Sequence, residues 1–88
     1  MNPANIDNPV TSAGRVYRIL KERGDWVDGY RLTHHACVTA VSTWISSIRL
    51  RLTLEPDRCE AVEVRRTKRG WEYRIVKVER AGQMELAV

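Results

Sequence analysis

Between residues 11 and 24, apolar side chains recur at a helical spacing. Ala13, Val16, Tyr17 and Leu20 stand at i, i+3, i+4 and i+7, the stripe of one buried helix face. Ile19 widens the stripe, while Arg15, Arg18, Glu22 and Arg23 take the other faces. Thr11 or Ser12 supplies a side-chain oxygen for the N-terminus. Gly24 follows as a left-handed cap, and Lys21 and Arg23 suit the negative end of the helix dipole. Asp25, Trp26 and Val27 make a short apolar segment that either pairs as a brief strand or plugs the core. Asp28 then caps a second, short helix reaching toward Ala36.

A third helix is expected from Thr39 or Ala40 to about Arg49 or Arg51. Val41, Ile45, Ile48 and Leu52 share one face, with Trp44 about 60° from its centre. Thr39, Thr43 and Ser46 lie opposite, with Ser42 and Ser47 at the margins. Leu50 also falls on this polar side, so either the helix has ended there or Leu50 meets a partner. Leu54 to Glu60, which contains Pro56, reads as a loop. The period then changes to two. Val62 and Val64 alternate with Glu63 and Arg65, and Trp71, Tyr73 and Ile75 alternate with Glu72 and Arg74. Arg66-Thr67-Lys68-Arg69-Gly70 between them reads as the turn of an antiparallel hairpin. The pattern predicts an α+β domain over residues 11–78, three helices followed by a two-stranded hairpin. Residues 1–10, with Pro3, Pro9 and three Asn, read as a flexible lead-in. Residues 79–88 read as a tail whose Met84, Leu86 and Val88 either add an edge strand or stay loose.

At 88 residues the chain holds one domain with a marginal core, which argues against a catalytic cleft with its own lid. Hydrophobic residues at 43% exclude a disordered chain. No apolar run approaches the ~18 residues that span a bilayer, and Met1 to Asn8 lack the basic start and apolar stretch of a signal peptide. A cytoplasmic location with no membrane partner is the expectation. Fifteen cations against eleven anions leave +4, and twelve of the fifteen are Arg. Arg favours two-pronged contacts to phosphate and to guanine edges, so nucleic acid is a candidate partner.

Cys37 and Cys59 are too few for a disulfide framework and form no Cys-x-x-Cys pair. His34 and His35 lie close to Cys37, but adjacent residues on a helix point about 100° apart, which suits a metal poorly. Cys37 with one of these histidines is the one nucleophile–base candidate. Partly buried thiols and ordinary histidines are the favoured reading, and no metal, cofactor or enzymatic activity is expected. Trp26 and Trp71 are expected in the core, and Tyr30 in a packing or capping role. Arg15 and Arg18 on the first helix are lesser candidates for touching a nucleic-acid backbone.

The ordered set of elements resembles the winged helix-turn-helix family over Thr11 to Val78. Arg15-Val16-Tyr17-Arg18-Ile19-Leu20 with Gly24 looks like its first helix. Trp26-Val27-Asp28-Gly29-Tyr30-Arg31-Leu32 looks like the short strand and cap entering its second, as in small bacterial and phage domains. Ser42-Thr43-Trp44-Ile45-Ser46-Ser47-Ile48-Arg49 is similar to the recognition helix, and Trp71-Glu72-Tyr73-Arg74-Ile75 to the strand after the wing. The resemblance implies binding to double-stranded DNA, with the third helix in the major groove and the wing on backbone or minor groove. It would place Thr39, Ser42, Thr43 and Ser46 at base edges, with Arg49 a further DNA-binding residue as the first cation on that face, and Arg66, Lys68 and Arg69 in the wing. It further implies a transcription regulator or an excisionase-like accessory factor of phage or mobile elements. A homodimer is the expectation, since small DNA readers often need two half-sites. One departure is that Thr43 and Trp44 stand where such domains often carry Arg or Lys. The alternative reading is therefore a winged-helix protein–protein module, a phage-type inhibitor or adaptor, with Trp44 and Leu50 as partner anchors.

Overall fold

The computed structural model describes residues 5–79. The chain runs α1 (Ser12–Arg23), β1 (Val27–Asp28), α2 (Gly29–Ala36), α3 (Val41–Leu54), a 3-10 turn (Pro56–Arg58), β2 (Glu60–Thr67) and β3 (Gly70–Lys77). The molecule is thus α+β, with three helices and a three-stranded antiparallel sheet in the order β1-β3-β2. The two-stranded hairpin expected from the alternation gains a third member. Val27 and Asp28 pair with Tyr73 and Glu72 of β3, which settles the open reading of that segment in favour of a strand.

The helix ends follow capping chemistry. Thr11 accepts a hydrogen bond from the Gly14 amide through its Oγ1, and Gly24 closes α1 at φ 67. Asp28 accepts from the Arg31 amide and starts α2. The α3 helix departs from its expected bounds at both ends. Thr39 lies before it, and Ala40 is its N-cap in the left-handed region, with no side-chain cap bond. Its C-terminus extends to Leu54, so Leu50 is inside the helix.

The core lies between the helices and one face of the sheet. Val16 and Leu20 of α1, Leu32 and Ala36 of α2, and Val41, Ile45, Ile48 and Leu52 of α3 meet Val27, Val62 and Tyr73. Trp44, Val64 and Ile75 pack partly buried at its edge. Cross-strand partners Val62↔Ile75, Val64↔Tyr73 and Arg66↔Trp71 share the helix-facing side of the sheet. Ile6, read from sequence as part of the lead-in, is buried in this core. Its neighbour Asp7 pairs with Arg58 at 2.5 Å, which lowers the Asp7 carboxyl below its ordinary range. Residues 80–88, with Met84, Leu86 and Val88, lie outside the described residues.

Neither Trp26 nor Trp71 joins the core, contrary to the expectation from their size. The strand period carries Trp26 to the outer sheet face, where the Arg65 and Arg74 guanidiniums stack on its ring at 4.2 and 4.4 Å. Those arginines also pair with the residues directly opposite them, Arg65 with Glu72 and Arg74 with Glu63, each at 2.6 Å. Trp71 lies on the helix-facing side near the hairpin's end, beside the N-terminus of α2, and is half exposed.

Candidate nucleic-acid interface

Two surfaces hold the residues singled out by the sequence. The first is the outer side of α3. Its inward face is fixed by Val41, Ile45, Ile48 and Leu52, so the 3.6-residue repeat turns Ser42, Thr43, Ser46 and Arg49 outward, and all four are exposed. Thr39, just before the helix, is exposed as well. Val41–Leu54 contains no acidic residue, so nothing on α3 repels a polyanion. The Ser46 hydroxyl donates to the Ser42 carbonyl at 3.0 Å, leaving its lone pairs to accept from a partner. Arg49 reaches back to the Val62 carbonyl at 3.4 Å, tethering the helix to β2.

The second surface is the end of the β2–β3 hairpin. The five-residue turn read from sequence is tighter in the fold. Thr67 pairs with Gly70, so Lys68 and Arg69 alone form the turn, and Arg66 belongs to β2 opposite Trp71. The Thr67 hydroxyl donates to the Gly70 carbonyl at 3.2 Å and accepts from the Arg69 amide at 3.3 Å, bracing the turn. Arg66, Lys68 and Arg69 are exposed. None of the ion pairs among the described residues involves these three. Arg65, the fourth cation of the run, is held by Glu72 and Trp26 on the outer face.

The remaining candidates fall elsewhere. Arg15 is used by the fold. Its Nε donates to the Ala36 carbonyl at 2.7 Å and its guanidinium to Val10 at 2.6 Å, joining α1 to the end of α2. Arg18 pairs with Glu22 along its own helix. Cys37 is exposed rather than partly buried and caps α2 in the left-handed region at φ 53, donating from Sγ to the His34 carbonyl. Among the described residues, no group of three or more His, Cys, Asp or Glu side chains is placed to hold a metal ion. No helix among them is long and apolar enough to cross a membrane. Trp44 is partly buried against the core, which leaves less of it for a partner than the sequence reading supposed. Leu50 is 39% exposed and Leu54, one turn on, 58% exposed. Sequence periodicity had placed Leu54 in a loop and so missed that pair.

Comparison with protein-family models, with curated proteins and with solved structures finds no match for this chain.

Proposed function

We propose that this chain is a small double-stranded-DNA-binding protein of the winged-helix kind, serving as a regulator or accessory factor on DNA. The observation that carries the reading is the pairing of an acid-free α3 with an exposed outer side and a hairpin end whose Arg66, Lys68 and Arg69 stand outside the described ion pairs. The element order supports it, because the short strand that the resemblance expects before the second helix is β1. In this reading α3 enters the major groove. Ser42, Thr43 and Ser46 offer hydroxyls to base edges and the Thr43 methyl can touch a thymine methyl. The hairpin lies on flanking backbone or in the minor groove, where guanidinium groups are favoured by the negative potential. With no bidentate Arg on the first turns of α3, sequence discrimination would rest on DNA shape and bridging water.

Titration of labelled random-sequence duplex DNA against the protein across salt concentrations tests this. Each phosphate contact contributes about −0.9 to the slope of log affinity against log salt. Replacing Arg66 and Arg69 together by Ala is expected to weaken binding at low salt and flatten the slope by about two. An unchanged slope removes the hairpin from the interface.

A second reading is favoured by one observation, the Leu50–Leu54 pair on α3. An apolar ridge beside neutral hydroxyls suits a protein partner better than a groove of DNA. Absence of DNA binding even at low salt, together with early elution from heparin, would select this reading.

A further inference from the structure

Beyond α3 and the turn, a cleft of about 500 Å³ opens between the N-terminus of α2 and the hairpin, lined by Asp28, Gly29, Tyr30, Arg31, Arg69, Trp71 and Tyr73. Its size lies within the roughly 300–1,000 Å³ typical of small-ligand sites. Two exposed aromatic rings border it, Tyr30 at 75% and Trp71 at 51%. Tyr73, the other ring there, is buried and forms part of the floor. The Tyr30 ring is held by an edge contact to His34 one turn along α2, with centroids 4.4 Å apart. The Arg66 guanidinium lies 5.8 Å from the Trp71 ring centre. Arg31 and Arg69 therefore flank two aromatic faces, with Arg66 beside one of them. The carboxylate in the lining, Asp28, is engaged by the α2 cap and by Arg31. Glu72, next to Trp71 in sequence, faces the other side of the sheet and is paired with Arg65.

We propose that this cleft binds an unpaired nucleotide of a nucleic-acid strand, its base stacked on Trp71 beside Tyr30 and its phosphate held by Arg69 and Arg31. Exposed rings bordered by guanidinium groups match a ligand that is planar at one end and anionic at the other. Away from its ends a duplex keeps the faces of its bases inside its own stack, so along the helix only a flipped or single-stranded base can offer one to Trp71. The inference rests on the proposed nucleic-acid partner and extends it: α3 and the turn grip a duplex, and the cleft takes a strand that leaves it.

Fluorescence anisotropy of labelled DNA tests this with a blunt duplex and the same duplex bearing a short single-stranded overhang, at one salt concentration. The overhang is expected to raise affinity about tenfold, the order of one stacked base. Trp71→Ala should abolish that gain and Trp71→Phe should keep most of it, the gain being read in each variant as the ratio of overhang to blunt-duplex affinity. Both substitutions are at a half-exposed site, and circular dichroism is the check that each variant folds. Tyr30→Ala provides an independent check on the opposite wall and should reduce the gain. If the blunt duplex binds and the overhang adds nothing, the cleft inference fails and the duplex reading stands. If the gain survives in Trp71→Ala, Trp71 is not its source and the inference fails. If the overhang binds and the blunt duplex does not, the cleft is supported and the duplex reading fails. If neither DNA binds, both fail.

Discussion

Gly14 sits in the first turns of α1, where alanine is the better helix former by about 1 kcal/mol. A Cβ there would lie 1.9 Å from the Asn8 carbonyl oxygen, so the glycine exists to let the N-terminal turn close on the helix. That turn is held by the Thr11 hydroxyl, 2.8 Å from both the Asn5 and Asn8 carbonyls, and it delivers Ile6 to the core. Gly14→Ala should therefore destabilise the protein despite the propensity gain, by about 1–3 kcal/mol. Thermal unfolding would show this as a melting point lowered by roughly 4–8 °C per kcal/mol. Cys37 presents the opposite case, a left-handed cap filled by a residue with a Cβ. Cys37→Gly is expected to raise the melting point, by up to about 1 kcal/mol of stability, because it relieves that strain. Tyr17 carries a pH signature. Its hydroxyl donates to the buried Glu60 carboxylate, to which Lys21 also donates. Burial first, and this hydrogen bond second, push the Tyr17 hydroxyl from 10.0 up to about 12. The unfolded chain loses that proton at lower pH than the fold, so the contribution is whole below pH 10 and disappears as pH rises through 12. Urea unfolding of wild type and Tyr17→Phe should show a wild-type advantage at neutral pH that shrinks through this window.

At the scale of elements, α3 separates stability from recognition. Ile48 is fully buried among the helices and Ser46, two residues earlier on the opposite side of α3, is exposed. Ile48→Ala should cost about 2–5 kcal/mol. Ser46→Ala should stay within about 0.5 kcal/mol in stability and act on DNA affinity instead. Denaturant midpoints and DNA titrations on both variants check this division. The apolar face of α3 was legible because four residues at helical spacing admit only one side. Its ends were not legible, because Ala40 offers no capping oxygen and the helix runs to Leu54, against Pro56. The hairpin's alternation was legible too. Its turn length was not, because the Lys and Arg residues suit both a turn and an exposed strand, and the Thr67–Gly70 pairing decided between them.

The whole molecule sorts its charges by location. Glu63, Glu72 and Asp25 gather with Arg65 and Arg74 around Trp26 on the outer sheet face and largely neutralise one another. Arg66, Lys68 and Arg69 are left outside the described ion pairs at the hairpin's end, which gathers three exposed cations within four residues. With those three and Arg49 as phosphate contacts, the salt slope should be about −3 to −4. Affinity for duplex DNA should then fall roughly a hundredfold between 50 and 200 mM salt. A slope near zero would contradict the interface at this scale, whatever single substitutions show.

Local chemistry, by itself, determined the three helices, their caps at Thr11, Asp28 and Gly24, the inward faces of α1 and α3, and the basic hairpin. Each depends on spacing or on side chains within a few residues, and the sequence displays both. Tertiary structure alone decided what depends on distant partners. Val27 became a strand because β3 offered an edge. Ile6 became core because Gly14 made room and Arg58 held Asp7. Trp26 left the core because strand alternation turned it to the outer face, where two arginines and their cross-strand glutamates could cover it. Tyr30 and Trp71, far apart in sequence, border one cleft only because α2 packs beside β3.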